Sequence, residues 1–240
     1  MMPFYYGMYF DKYYMIGTIL VVLAAGLAIY AQTKVQSTYK KYKRIDNSRR
    51  MTGFQVAREI LDRNGLTHIQ IFESQGLLSD HYNPGKQTIN LSSDIYHGTS
   101  IASLAVAAHE CGHAIQYKEK YVPISLRNAI LPFANMGQYL GWIAIMIGLL
   151  FGRTNIAWIG FILMCGILAF QVVTLPVEFN ASSRALKILK SDYLTYDEYN
   201  GASKMLSAAA LTYVAAMIST LASMLRIFLV ILGNSRNDRS

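Results

Sequence analysis

Apolar positions along this chain follow two regimes. In four stretches they cover every face: Tyr14–Ala31, Met136–Phe151, Ile156–Leu175 and Ala208–Gly233. The first holds 18 residues and no charge, which as a helix spans about 27 Å, close to the hydrocarbon thickness of a bilayer. The second is short for a span and extends back to about Phe133, after Pro132. Only Gly152, Arg153, Thr154 and Asn155 separate it from the third, so the two form a helical hairpin across the membrane. The fourth carries Arg226 late in its course, where a long cationic side chain reaches the headgroups. A cleaved signal is excluded for the first stretch because the basic cluster follows it instead of preceding it.

Elsewhere the apolar positions are periodic. Thr52–Asn64 places Phe54, Val56, Ala57, Ile60 and Leu61 at helical spacing, with Gly65 set to end the helix. Leu66–Phe72 alternates as a strand, Asn83–Gly85 is a turn signal, and Gln87–Ser92 alternates again with Ile89 and Leu91 on one face. These predict a small antiparallel sheet, followed by a helix over Ser100–Gln116 and a further helical segment, Val177–Leu189, opened by Pro176. The fold class is therefore mainly α: a multi-pass membrane protein of about four transmembrane helices with a small α+β domain. Its segments are 1–32, an N-terminal segment and first span; 33–132, a basic linker and the α+β domain; 133–175, the hairpin; 176–207, a second polar segment; and 208–240, the last span and tail.

Composition supports this. Hydrophobic residues make up 53% and charged residues 15%, against about 25% charged in soluble domains, which argues against an ordinary soluble globule. The net charge of +8 is unevenly placed. Residues 33–51 hold Lys34, Lys40, Lys41, Lys43, Arg44, Arg49 and Arg50, whereas Lys12 alone precedes the first span and Arg153 sits in the hairpin turn. The positive-inside rule then puts 32–132 and 176–207 in the cytoplasm and both termini outside. A basic run abutting a membrane helix is attracted to anionic lipid, so no nucleic-acid partner is expected. Cys111 and Cys165 are too few for a disulfide framework and read as packing residues.

The chemistry lies on the Ser100–Gln116 helix. His109, Glu110, Cys111, Gly112 and His113 form H-E-x-x-H. Histidines at i and i+4 share one helix face and can hold one Zn2+ ion, and the glutamate between them can act as general base. A catalytic zinc has three protein ligands. Of the later acids Glu119, Glu178, Asp192, Asp197 and Glu198, Glu178 is the best placed, because it begins a helical segment where the third span ends and could face the histidines. His68, His81 and His97 lack a helical partner at ligand spacing. The strand before the motif, Gln87, Thr88, Ile89, Asn90 and Leu91, is the expected substrate-binding edge, pairing with an extended peptide through its main chain.

The blocks Ser79–Gln116, YVPISLRNAILPFANMG, LPVEFNASSRA and AAALTYVA resemble, in order, the YugP-like membrane zinc metallopeptidases of bacteria, over roughly Gly53–Ala216. More distantly the chain is similar to the HtpX-like integral-membrane gluzincins, in which an E-x-x-x-D block supplies the third ligand. That resemblance implies Glu178 as ligand. Ser182 stands where the distant family has aspartate, so a supporting carboxylate there is absent. The expected function is a membrane zinc metalloendopeptidase acting on proteins or peptides, membrane proteins among them, at the cytoplasmic surface of the cell membrane. Glu110 would be catalytic, His109, His113 and Glu178 the metal ligands, and Tyr193, Tyr196, Tyr199 and Tyr213 candidate oxyanion partners. The rival is a non-catalytic zinc-stabilised scaffold or regulatory binding protein, which would not require Glu110; a transporter is disfavoured by the scarcity of intramembrane charge.

Overall fold

A computed structural model describes residues 12–76 and 79–237. The start of segment 1–32 and the end of the tail lie outside these. The elements are α1 (Lys12–Tyr42), α2 (Gly53–Arg63), β1 (Gln70–Ser74), β2 (His81–Asn83), β3 (Thr88–Ser92), α3 (Ser93–Tyr96), α4 (Ile101–Lys118), α5 (Val122–Met136), α6 (Trp142–Leu150), α7 (Thr154–Asp192) and α8 (Tyr196–Asn237). A single π turn, Gly137–Gly141, joins α5 to α6. Among the described residues, four helical stretches are long and apolar enough to cross a membrane: Tyr14–Tyr42, Val122–Leu150, Thr154–Asp192 and Tyr196–Leu232. The chain is thus mostly helical and built for a membrane, with one small sheet.

Two compact units result. One comprises residues 1–30, 128–172 and 214–240, and its described part is the apolar ends of the long helices plus the hairpin. Glycines let the hairpin close: a Cβ on Gly137 would lie 2.2 Å from the Leu163 carbonyl, and one on Gly148 2.4 Å from the Ala157 nitrogen. Small residues at such crossings replace the hydrophobic drive that lipid removes. Ile145, Ala157, Met164, Met224, Ile227 and Ile231 form its buried centre. Arg226 folds over Gly17, its guanidinium 5.8 Å from the Tyr14 ring centroid. Cys165 is exposed, which corrects its reading as a packing residue. On the outer face of a membrane helix a small polarizable side chain meets lipid as readily as it meets protein.

The other unit comprises residues 31–127 and 173–213. Its core includes Val56, Ile60, Leu61, Ile89, Leu91, Leu104, Ala108, Leu189 and Leu206. α2 starts in a capping box, Thr52 with Gln55, and α4 at Ser100, whose hydroxyl accepts from the Ser103 N–H. Cys111 is fully buried, its thiol turned to the Ala57 carbonyl at 3.6 Å, and burial pushes that thiol's pKa up.

The sheet departs from expectation in three ways. It is mixed, in the order β1-β3-β2, with β1 parallel and β2 antiparallel to β3. Its first strand begins at Gln70, the residues from Leu66 to Ile69 forming a turn after α2. Most consequentially, β3 is central and largely buried, so the segment Gln87, Thr88, Ile89, Asn90 and Leu91 has no open edge. Gln87 precedes β3 with a φ of 53°. The open edge nearest the motif helix belongs to β2. The helix through Pro176 is also unbroken: α7 runs from the third apolar stretch into the 177–189 segment as one element. A proline removes one ladder bond, which a long, otherwise well-packed helix tolerates.

Candidate metal centre

α4 and α7 bring the site together. On α4, His109, Gly112, His113 and Gln116 recur at helical spacing on one face. On α7, Glu178, Ala181 and Ser182 do the same. The helices touch where both are small: a Cβ on Gly112 would stand 2.7 Å from the Ala181 carbonyl oxygen. Gly112, a variable position of the motif, is therefore the notch that admits α7.

This approach sets Glu178 Oε2 at 3.4 Å from His109 Nε2 and 3.6 Å from His113 Nε2. The three ligand atoms lie within 4.8 Å of one another. Zinc bonds of about 2.0–2.2 Å at tetrahedral angles need donors about 3.3–3.5 Å apart, so the two contacts to Glu178 have the right span. Glu178 is 5% exposed, and its Oε2 is buried without a hydrogen-bond partner. A buried carboxylate oxygen left without a donor is costly. An ion bridging it to two imidazole nitrogens satisfies all three, so the residues fit zinc.

The other ring nitrogens are held from behind. Ser182 Oγ lies 3.2 Å from His109 Nδ1. His113 Nδ1 lies 3.0 Å from Gln116 Oε1. Gln116 is fully buried, and its amide donates to the Val177 carbonyl at 2.8 Å and to Asn180 Oδ1 at 2.9 Å. Arg184 Nε donates to the same Asn180 oxygen at 2.7 Å and pairs with Glu119 at 2.6 Å. Such partners fix ring orientation and leave Nε2 to the metal. Burial alone would lower the His113 pKa, but Glu178, Glu110 and Gln116 together raise it above its ordinary value.

Glu110 is 8% exposed, and its Oε2 accepts the Tyr82 N–H at 2.9 Å. Tyr82 faces Ile89 in the β2–β3 ladder, so a main-chain donor spent on Glu110 points away from β3, along the open edge of β2. A cleft of about 230 Å³ brings His109, Glu110, Glu178 and Ser182 together with Asp80 and Tyr213. Burial pushes the Asp80 carboxyl above its usual range, although it accepts from the Ser92 N–H and hydroxyl at 2.7 and 3.0 Å. That anchor ties the entry of β2 to the end of β3.

The remaining candidates lie elsewhere. His81 contacts the Ser79 carbonyl, His97 pairs with Glu73 at 3.1 Å, and His68 is exposed. Of the four tyrosines, Tyr213 alone lines the cleft, its hydroxyl interacting with Glu178; Tyr193 binds Glu59, Tyr199 packs under Lys190, and Tyr196 is exposed. Sequence reasoning missed Gln116, Asn180 and the positive role of Ser182. Their signal was spacing: Gln116 is i+3 from His113, and Asn180 and Ser182 are i+2 and i+4 from Glu178.

Comparison with known proteins gives a consistent picture. The family described as "Putative neutral zinc metallopeptidase" matches residues 17–232. The "Putative membrane protease YugP" of Bacillus subtilis (strain 168) is 43% identical over 220 residues, covering 91% of this chain and 97% of that protein. No solved structure matches.

Proposed function

Starting from the chain's membership of the neutral zinc metallopeptidase family, we propose that it is a zinc-dependent endopeptidase hydrolysing peptide bonds of protein substrates, membrane proteins among them, at the cytoplasmic membrane surface. The observation that carries this is the buried, partnerless Glu178 oxygen facing two histidines of H-E-x-x-H, with Glu110 beside them. His109, His113 and Glu178 would hold the zinc, which when bound polarises the scissile carbonyl and acidifies water.

Glu110 serves as general base and then hands its proton to the leaving amine. Its Oε2 rests on the Tyr82 N–H, which leaves Oε1 to take the proton. Tyr213, beside Glu178 in the cleft, is placed to donate to the carbonyl oxygen as it gains negative charge. An extended substrate lies along the open edge of β2, so that backbone, not side chain, is read. The cytoplasmic placement rests on the seven basic residues of 33–51. Accessibility of cysteines introduced at Ser48 and Asn155 tests it: labelling of 48 but not 155 by an impermeant reagent on intact cells reverses the orientation.

The deciding experiment compares zinc content and cleavage of an unfolded protein by the wild type and Glu110→Gln. Both should carry one zinc and only the wild type should cleave. A zinc-loaded wild type that cleaves nothing, alongside an equally stable Glu110→Gln, would favour the scaffold reading.

A further inference from the structure

The cleft at the candidate metal centre holds a third carboxylate that the chemistry above does not use. Asp80, the residue before β2, lines it together with Glu110 and Glu178. Asp80 Oδ1 accepts the Ser92 N–H at 2.7 Å and the Ser92 hydroxyl at 3.0 Å, and Oδ2 lies 3.2 Å from the same hydroxyl. A carboxylate offers about four acceptor positions, so this anchor does not saturate it. The anchor does not need a charge either. An asparagine oxygen would accept the same two donors, and a part-buried carboxylate costs free energy that a neutral amide avoids.

Charge and shape around Asp80 indicate what it receives. Among the described residues lining the cleft none is lysine or arginine, and Arg127, which interacts with Tyr213, is not part of the lining. His81 acts on Asp80 through space, but its Nδ1 lies against the Ser79 carbonyl at 2.8 Å and its Nε2 is 3.3 Å from the Asn90 amide. Zinc on His109, His113 and Glu178 would offset two of the three carboxylates, so the cleft keeps one negative charge in excess. Much of the wall is apolar: Val106 of α4 and Met205, Leu206, Ala209 and Ala210 of α8. An acidic group in an apolar-walled cleft suits a long hydrocarbon stem with a cationic end, the side chain of lysine or arginine. The open edge of β2 sets where that side chain falls. Glu110 is held at the level of Tyr82, two residues after Asp80, so a strand laid along this edge brings to Asp80 a side chain about two residues from the one at Glu110.

We infer that Asp80 determines specificity: its carboxylate receives a cationic side chain, lysine or arginine, of a substrate residue close to the scissile bond, adding one side-chain preference to the main-chain pairing on β2. The inference rests on the peptidase reading for its setting. Its test uses quenched peptides that carry lysine or norleucine at one position, scanned across the cleaved bond with the full-length, zinc-loaded protein in detergent. A hydrogen bond to a charged group supports roughly a 10–100-fold preference for lysine at one position. Asp80→Asn, which keeps an acceptor for Ser92, should reduce that preference to within about twofold while still cleaving the norleucine peptides. Ser92→Ala, which removes the hydroxyl donor and leaves the charge, should keep the preference. Binding of the same peptides to the chelator-treated proteins, read by fluorescence anisotropy, should show the same preference in the wild type and the same loss in Asp80→Asn. A wild-type profile indifferent to lysine at every position overturns the inference without recourse to a variant, as does a preference that survives in Asp80→Asn. Equal loss of lysine and norleucine cleavage in Asp80→Asn would reduce Asp80 to a strand anchor and overturn it too. Should the zinc-loaded wild type cleave no peptide, the peptidase reading fails, and the binding ratios still decide the role of Asp80.

Discussion

Replacing Glu178 should separate metal binding from folding. Its Oε2 lies 3.4 and 3.6 Å from the two imidazole nitrogens and is otherwise without a partner. Removing a hydrogen-bonded partner of a metal ligand costs about 10–100-fold in metal affinity, so Glu178→Ala, which removes a ligand itself, should lose at least ~100-fold. By mass action that strips about 2.7 kcal/mol from the zinc-dependent stabilisation, on the order of 5–10 °C in Tm for a chain of this size. The metal-free protein should respond oppositely. There, at a pH at which both histidines are neutral, Glu178 is a buried charge without a cationic partner, and a shape-preserving neutral group in its place relieves that charge. Zinc titration with thermal unfolding, with and without chelator, on wild type, Glu178→Ala and the isosteric Glu178→Gln reads both effects. Wild type should gain the most from zinc, and above the His113 midpoint Glu178→Gln should be at least as stable as wild type in chelator. Stoichiometric zinc of undiminished affinity in Glu178→Ala would refute the assignment and point to Asp80, which shares the cleft with Glu110 and Glu178, as the ligand.

Ser182→Ala, which removes the partner of His109 Nδ1, should weaken zinc about 10–100-fold by competition with a chromophoric chelator, and Ser182→Thr, which keeps a hydroxyl, should weaken it less. Gly112→Ala places a Cβ 2.7 Å from the Ala181 carbonyl and should cost about 1–3 kcal/mol in chemical denaturation, together with lowered zinc occupancy. Tyr213→Phe should lower kcat about 10²–10³-fold with zinc retained by elemental analysis. Tyr82→Pro, but not Tyr82→Ala, should lower kcat, because only the former removes the N–H that holds Glu110 Oε2. Zinc must displace a proton from His113, whose pKa is raised in the metal-free protein, so zinc affinity should fall as pH drops through a midpoint above the ordinary histidine value of about 6.5. By the same sign, metal-free stability should be greatest below the unfolded histidine pKa and be lost as pH rises through that midpoint.

The long helices were legible because burial in lipid makes every face of a span apolar, a signal carried by composition alone. The sheet was only partly legible. β3 alternates and is buried, but β1 is mostly exposed, so its residues carry little of the pattern that fixes register. Parallel pairing of β1 with β3 also depends on the chain reaching across between them through β2, which no local alternation encodes. Treating Gln87–Leu91 as an edge failed for that reason: alternation marks a strand but does not say which of its sides is already paired. Pro176 misled in the same local way, since a helix boundary inferred from one missing N–H ignores the packing on either side that keeps α7 continuous.

The candidate metal centre was more legible than the sheet because both of its halves are written in helical period. H-E-x-x-H puts His109 and His113 one turn apart, and continuing the period adds Gln116; E-x-N-x-S puts Glu178 and Ser182 one turn apart on a second helix. What sequence could not supply was the fit between the stripes. That fit is set by the two residues with least chemistry, Gly112 and Ala181, whose contact fixes how near α7 comes to α4. Their closeness turns three separate side chains into one donor set and gives Gln116 its partners on α7, the Val177 carbonyl and Asn180. It also lets a serine at 182 serve His109. At this separation a hydroxyl already reaches His109 Nδ1, whereas a charged group would add a third buried carboxylate to Glu178 and Glu110, at a cost that one divalent ion shared by two histidines would have to offset.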